Sequence, residues 1–234
     1  MNISVVIAAL DEEENIANVI KGLRAQTRPP NEIVVVDNES EDNTVEIARA
    51  HGARILTYPR PDIRFGNIGL VFQTGVEAAK GDIIVTTGAD FTHPPDYLAK
   101  VEQYFRENPK LVLLGGPVHL SNPDPLTDFL MGCYNLSRSF WASCGVALFW
   151  GGNTSFRKNA FMLTEGYRGS GAHGPVEEWI LSSRLSRVGD WLWSDDVYCF
   201  TKVAEGYRAY VYAIPLSVAP LGAWAGLAAL SGGA

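Results

Sequence analysis

Three short runs, "ISVVIAA" (3–9), "EIVVVD" (32–37) and "DIIVTTG" (82–88), are built on consecutive apolar residues with almost no polar alternation. A strand with one wet face alternates, so strands without alternation must be covered on both sides. That requires helices above and below a mainly parallel sheet, joined by right-handed crossovers. The intervening sequence supplies them. Ile16, Val19, Ile20 and Leu23 recur at helical spacing, and "TVEIARAHG" and "TGVEAAKG" follow in the same rhythm, with "ARILTY" as a strand between. Pro94 and Pro95 open a further helix, "DYLAKVEQYFRE", and "LVLLGGPV" is another strand. The fold class is therefore α/β, a mostly parallel central sheet flanked by helices, with ligands expected in the loops at the carboxyl ends of the strands. From about residue 120 the βα rhythm gives way to aromatic-rich, less regular sequence that is continuous with the core. One domain is expected over residues 1–208.

Composition narrows the function. A chain of 234 residues with 47% hydrophobic and 19% charged residues can bury a core, which excludes a disordered chain. The net charge is −7, with ten acids against four bases in residues 1–50 and seven of each in 157–234. No basic patch suggests nucleic acid as a partner. Cys133, Cys144 and Cys199 are odd in number and widely spaced, which indicates neither a disulfide framework nor a zinc site and fits a reducing compartment. "MNISVVIAAL" runs directly into "DEEEN" without a basic leader, so a cytoplasmic location is expected. The position after the first strand reads "AALDEEEN", not G-x-G-x-x-G, and there is no Walker A sequence. A nucleotide, if one binds, is held another way.

Several residues are candidates, each with a plainer reading. "VVVDNESEDNT" puts Asp37 at the carboxyl end of the second strand, where a carboxylate can accept bonds from a base or ribose. Ser40 and Asn43 can serve equally as turn and cap residues. Asp11, Glu12, Glu13 and Glu14 read as a solvated helix N-terminus favoured by the helix dipole, with at most one reaching ligand. Arg60 and Arg64 lie in "YPRPDIRFGNIG", a loop whose guanidinium groups suit a diphosphate or a surface ion pair. "VTTGADFTHPP" delivers a single acid, Asp90, to a glycine-flanked strand end. Trp141, Trp150, Trp179, Trp191 and Trp193 gather in the second half, where ordinary core packing and sugar or prenyl stacking both use aromatic faces. Beyond Arg208 there is no charge up to Ala234, and the 209–234 segment is expected to contact a membrane surface or the domain itself.

Taken together, "VVIAALDEEENIANVIKGLRAQTRPPNEIVVVDNESEDNT", "TGVEAAKGDIIV" and "ADFTHPPDYL" resemble a family 2 glycosyltransferase with the nucleotide-sugar-binding GT-A fold. "HPPDYL" and "TGVEAAKGDIIV" lean toward its polyprenyl-phosphate sugar transferase branch, which resembles dolichol-phosphate mannosyltransferase. The likeness implies a nucleotide-sugar half over 1–118 and an acceptor half over 119–208. It assigns Ala8, Ala9 and Asp37 to the nucleoside of a nucleotide diphosphate sugar, with Arg64 and Arg184 also on the donor. The family's D-x-D motif, which holds Mg²⁺ or Mn²⁺ and the diphosphate, reads here Gly88-Ala89-Asp90, with Asp90 as the metal ligand and Gly88 where the first acid would stand. Restoring that acid with Gly88→Asp is expected to tighten Mn²⁺ binding if residue 88 tolerates a side chain.

"GPVEEWILSSRLSRVG" matches the family's acidic motif, with Glu177, Arg184 and Gly189 on its spacing and Glu178 in place of the usual catalytic Asp. Glu178, with Glu177 beside it, is thus the expected general base for a hydroxyl acceptor, although both acids would also suit the first turn of a helix. "GSGAHGP" before them reads as a lid, with His173 as a phosphate contact or an exposed histidine. The implied activity is inverting transfer of a sugar from a UDP- or GDP-linked donor to a glycan or polyprenyl-phosphate acceptor. Two rivals remain open to the residues: a non-catalytic nucleotide-sugar-binding relative with a degenerate motif, and a nucleotidyltransferase, which would usually carry a basic glycine-rich loop after the first strand.

Overall fold

The computed structural model describes residues 1–59, 68–149, 151–168 and 175–202. The apolar runs form β1 (Ile3–Ala9), β2 (Glu32–Asp37) and β4 (Ile83–Gly88), and "ARILTY" gives β3 (Arg54–Thr57). Helices α1 (Ile16–Arg24), α2 (Thr44–Ala50) and α3 (Ile68–Ala78) connect them, and the four strands pair in parallel. Residues Ile3, Val5, Ile7 and Ala9 of β1 point into one apolar cluster with α1, whereas Val6 and Ala8 point into a second with α3. Both faces of β1 are dry, and this is why polar and apolar residues do not alternate along it.

The chain continues through β5 (Phe91–Thr92), α4 (Tyr97–Glu107), β6 (Leu111–Gly115) and β7 (Val118–Leu120). Next come α5 (Pro125–Ser143), β8 (Thr154–Arg157), α6 (Lys158–Met162), α7 (Pro175–Leu185), β9 (Asp190–Trp193) and β10 (Cys199–Thr201). The main sheet has the order β3-β2-β1-β4-β8-β6-β9, and a small sheet has the order β5-β10-β7. In the main sheet β8 runs antiparallel to both β4 and β6, the departure from an otherwise parallel arrangement. Asn153, just before β8, is 1% exposed and ties the two sheets together. Its side chain accepts from the Tyr97 hydroxyl at 2.8 Å and donates to the carbonyls of Pro117 and Val197 at 3.0 and 2.9 Å.

Where the sequence reads as irregular beyond residue 120, the chain forms the 19-residue helix α5. Asp124 caps it by accepting the N–H groups of Leu126 and Thr127, and Thr127 Oγ1 accepts the Asp124 N–H in return. The helix escapes periodic reading because Leu126, Phe129, Leu136 and Phe140 point outward, 52% to 72% exposed. Among the described residues no helix is long and apolar enough to cross a membrane. The uncharged 209–234 segment lies outside the described residues, as do Arg60, Arg64, Trp150 and His173.

Candidate active site

The register of the parallel strands brings the first candidates together. Ala9 is opposite Asp37, and Ala8 is opposite Gly88, so the carboxyl ends of β1, β2 and β4 form one continuous edge. Asp37 is 4% exposed, and its Oδ1 accepts the Ser40 N–H at 3.1 Å. The turn role expected of Ser40 is thus real, yet Asp37 remains at the strand end. Beside it the Asn38 Oδ1 is buried without a hydrogen-bond partner. Buried acceptors are ordinarily satisfied, and an orphan at a parallel strand end is an opening for a ligand donor.

The acids after β1 do not form the first turn of α1, which begins at Ile16 and has no acid there. They lace the β1–α1 loop to the β2–α2 loop instead. Ser40 Oγ, Thr44 Oγ1 and Asp42 Oδ2 accept the N–H groups of Asp11, Glu12 and Glu13 at 3.0, 2.7 and 3.0 Å. In return Asp11 Oδ1 takes the Glu41 N–H at 2.7 Å, and Glu13 Oε2 takes both the backbone and side-chain nitrogens of Asn43. Asp11 and Glu39 sit at φ 54° and 57° to allow this interlock, a backbone region most residues avoid. The two loops therefore form one rigid rim.

Asp90 follows β4 with its carboxylate partly withdrawn from water, and Thr201 Oγ1 donates to Asp90 Oδ2 at 2.7 Å. Burial pushes Asp90 above the usual carboxylate range, while the Thr201 bond and the Lys202 charge pull it back. Glu12 is pushed up by burial, held back by its Asn15 bond at 2.8 Å, and pushed up again by the charge of Asp90. Lys202 Nζ donates to Asn15 Oδ1 at 2.8 Å. Two carboxylates from different strand ends thus share one cation. Among the described residues no three His, Cys, Asp or Glu side chains gather as a metal cage. Asp90 and Glu12 are nonetheless hard oxygen donors of the kind Mg²⁺ and Mn²⁺ accept, with phosphate and water filling the remaining positions.

Gly88 is more than a missing acid. A Cβ there would lie 2.7 Å from Asp90 Oδ1 and 2.9 Å from Phe91 Cδ2, so the bare backbone is what lets Asp90 fold over the strand end.

On α7, Glu177 and Glu178 are 1% and 6% exposed. The two do different things. Glu177 Oε2 accepts the Gly69 N–H at 2.8 Å, clasping the start of α3 in favourable alignment with its dipole. Glu178 Oε2 accepts the Tyr167 hydroxyl at 3.2 Å, and that hydroxyl also interacts with Thr86 on β4. Burial raises Glu178 to about 8, the Tyr167 bond opposes the rise, and the charge of Glu177 adds to it. Arg184 is committed to the turn that carries Tyr167. It donates to the carbonyls of Gly166 and Arg168, both at 2.7 Å, and to Glu165 Oε2 at 2.8 Å.

Tyr167, Thr201 and Lys202 are not flagged by sequence reading, because each reaches the site from a distant segment without a motif. Trp191 and Trp193 pack against Phe149 in the core, which is the plainer of their two readings. A shallow cleft of about 650 Å³ lined by Met1, Lys80, Asp82 and Lys158 opens at the amino ends of the strands, away from every candidate.

The clasp can be tested through Gly69. A Cβ at this position would approach Tyr167 Cδ1 to 2.9 Å and Glu177 Cδ to 3.0 Å. Gly69→Ala should therefore destabilise the fold by about 1–3 kcal/mol, as overpacking does, despite the better helix propensity of alanine. Urea unfolding of the two proteins checks this, and an unchanged midpoint would remove the clasp.

A scan against protein-family models matches residues 4–163 to the model described as Glycosyl transferase family 2. The 4,4'-diaponeurosporenoate glycosyltransferase of Staphylococcus haemolyticus is 27% identical over 184 residues, covering 74% of this chain and 48% of the relative. The dolichyl-phosphate hexose transferase of Haloferax volcanii is 34% identical over 99 residues, 42% of this chain and 41% of that protein. Each of these curated relatives is thus about twice as long as the part that matches. Among solved structures, the mannosyltransferase PcManGT from Pyrobaculum calidifontis, in complex with GDP-Man and Mn²⁺, superposes with a TM-score of 0.68 at 20% identity, covering 89% of this chain and 59% of that one.

Proposed function

The chain belongs to glycosyl transferase family 2 and has the GT-A fold, and from that premise we propose that it is an inverting enzyme acting on a nucleotide diphosphate sugar. The acceptor in this reading is a glycan or a polyprenyl phosphate at or near the cytoplasmic face of a membrane. The observation that carries the proposal is the shared edge of β1, β2 and β4, with Ala8, Ala9, Asp37 and Asp90 along it and Glu178 buried on α7.

Asp37 and the unpaired Asn38 Oδ1 accept hydrogen bonds from the nucleoside, beside the end of β1 at Ala8 and Ala9. Asp90 and Glu12 hold a divalent ion, and Lys202 lies beside them. When bound, Mg²⁺ or Mn²⁺ supplies positive charge against the departing diphosphate. The GDP-Man and Mn²⁺ bound to the Pyrobaculum mannosyltransferase support this donor class.

Glu178, once deprotonated, takes the proton of a hydroxyl acceptor as its oxygen attacks the anomeric carbon. Glu177 and Arg184 act on the site by position, one through the start of α3 and the other through the turn bearing Tyr167. The outward apolar face of α5 and the name of the Haloferax relative support an acceptor near lipid.

A screen of UDP- and GDP-linked sugars for nucleoside diphosphate release, with and without Mn²⁺, tests the activity. In the same assay format, Asp37→Ala should weaken donor binding by about 1–3 kcal/mol, the size expected on losing a charged hydrogen-bond acceptor. Calorimetry showing unchanged affinity in a folded variant would exclude that role.

A further inference from the structure

On the inner side of α5 lies a buried guanidinium. Arg138 is 2% exposed, and its Nε and Nη1 are buried with no hydrogen-bond partner. Its guanidinium lies over the rings of Tyr134 and Trp179, with the central carbon 4.6 and 5.0 Å from their centroids. Among the described residues it forms no ion pair. Two aromatic faces help to hold such a cation through their quadrupoles. They satisfy neither the Nε nor the Nη1 donors, and an unpaired buried charge is costly to keep. What the rings do is fix the plane of the guanidinium and leave its edge free, the arrangement that receives a carboxylate or phosphate with two parallel hydrogen bonds.

Its surroundings belong to the acceptor side. Trp179 follows Glu178 directly on α7, and Tyr134 lies within electrostatic reach of both Arg138 and Glu178. No strand end of the donor edge contributes to this pair of rings.

We propose that Arg138 is the acceptor-recognition residue of this enzyme and that the acceptor carries a phosphate monoester, held bidentately by the Arg138 edge beside Glu178. This rests on the glycosyl transfer reading above. Where the phosphate is itself the nucleophile, one of its oxygens forms the bond to the anomeric carbon with its own electron pair. The bond from that carbon to the nucleoside diphosphate breaks, and its electron pair leaves with the diphosphate. No proton has to be removed. Where the phosphate only anchors a neighbouring hydroxyl, the hydroxyl proton goes to Glu178.

The test uses the full chain and the tryptophan fluorescence that Trp179 contributes. Inorganic phosphate, glycerol 3-phosphate, geranyl phosphate and geraniol are titrated into wild type, Arg138→Met and Arg138→Lys, and GDP and UDP are titrated alongside. Wild type should bind geranyl phosphate at least tenfold more tightly than geraniol. Arg138→Met should erase that preference while leaving nucleotide affinity unchanged, and Arg138→Lys should retain part of it. Stronger binding of geranyl phosphate than of glycerol 3-phosphate assigns a lipid acceptor, and equal binding assigns a soluble phosphate ester.

Arg138→Met should melt no lower than wild type, because an unpaired buried charge has been replaced by an apolar chain. A lower melting point together with an intact phosphate preference would make Arg138 a packing residue and overturn the proposal. So would a loss of nucleotide affinity in Arg138→Met, which would move the guanidinium to the donor diphosphate, or the absence of any phosphate preference in wild type. If the phosphate preference is present but no nucleotide sugar is ever consumed, the glycosyl transfer reading fails and the anion site stands.

Discussion

Glu178→Gln should lower turnover on a hydroxyl acceptor by about 10²- to 10⁴-fold, the range typical of general-base catalysis, and leave donor affinity unchanged. Gln is nearly isosteric and keeps an oxygen for the Tyr167 hydroxyl, so the fold should survive. On a phosphate acceptor the same change should cost about tenfold or less, since no proton transfer is lost. Because burial holds Glu178 near 8, wild-type activity on a hydroxyl acceptor should climb with pH and level off above that value.

The same shift has a signed effect on stability. The unfolded carboxyl titrates near its ordinary value of 4.5, whereas the folded one keeps its proton until about 8. The folded state therefore binds more protons between these values. The stability this gives is fully present below 4.5 and is lost as pH rises through 8. Urea unfolding at several pH values should show that decline in wild type and its absence in Glu178→Gln. Equal turnover of the two proteins on a hydroxyl acceptor would remove Glu178 from the mechanism.

Asp90→Ala should abolish the Mn²⁺ dependence of donor binding and reduce turnover by about 10²- to 10³-fold, the cost of losing one electrostatic contact to a leaving group. Glu12 alone would then face Lys202, and a carboxylate matched by an ammonium gives a divalent ion little to hold. Gly88→Asp, which by sequence alone would restore the family's first acid, meets a steric condition. Its Cβ would fall 2.7 Å from Asp90 Oδ1, so the new side chain displaces the existing ligand. Mn²⁺ titrations should accordingly show no tightening. Titrations that fail to distinguish wild type from Asp90→Ala would end the metal assignment.

What could be read from the sequence follows from burial. β1, β2 and β4 are legible because both of their faces are covered, and Asp37 and Asp90 are legible because each directly ends such a strand. α5 is not, since Leu126, Phe129, Leu136 and Phe140 face outward while the charged Arg138 shares the inner face with Met131 and Tyr134, which blurs the apolar stripe. The antiparallel sense of β8 is fixed by partners 68 or more residues and about 40 residues away, which no local signal encodes. Glu177 and Glu178 are visible as a pair, yet their division of labour depends on Gly69 and Tyr167, which lie outside α7 and carry no motif that marks them.

The position of β8 also governs how the chain can be made. On the ribosome β1 to β4 emerge first and can pair among themselves, but the outer edge of β4 must wait for residues 154–157. β6 emerges with neither of its neighbours, because β8 and β9 are both still to be synthesised. For the whole of α5 the nascent chain therefore exposes a bare, apolar strand edge, Ile83 to Val85, of the kind that recruits another chain. Slowing translation over residues 120–150 should lengthen that exposure and raise the aggregated fraction, whereas a holdase chaperone covering the β4 edge should lower it.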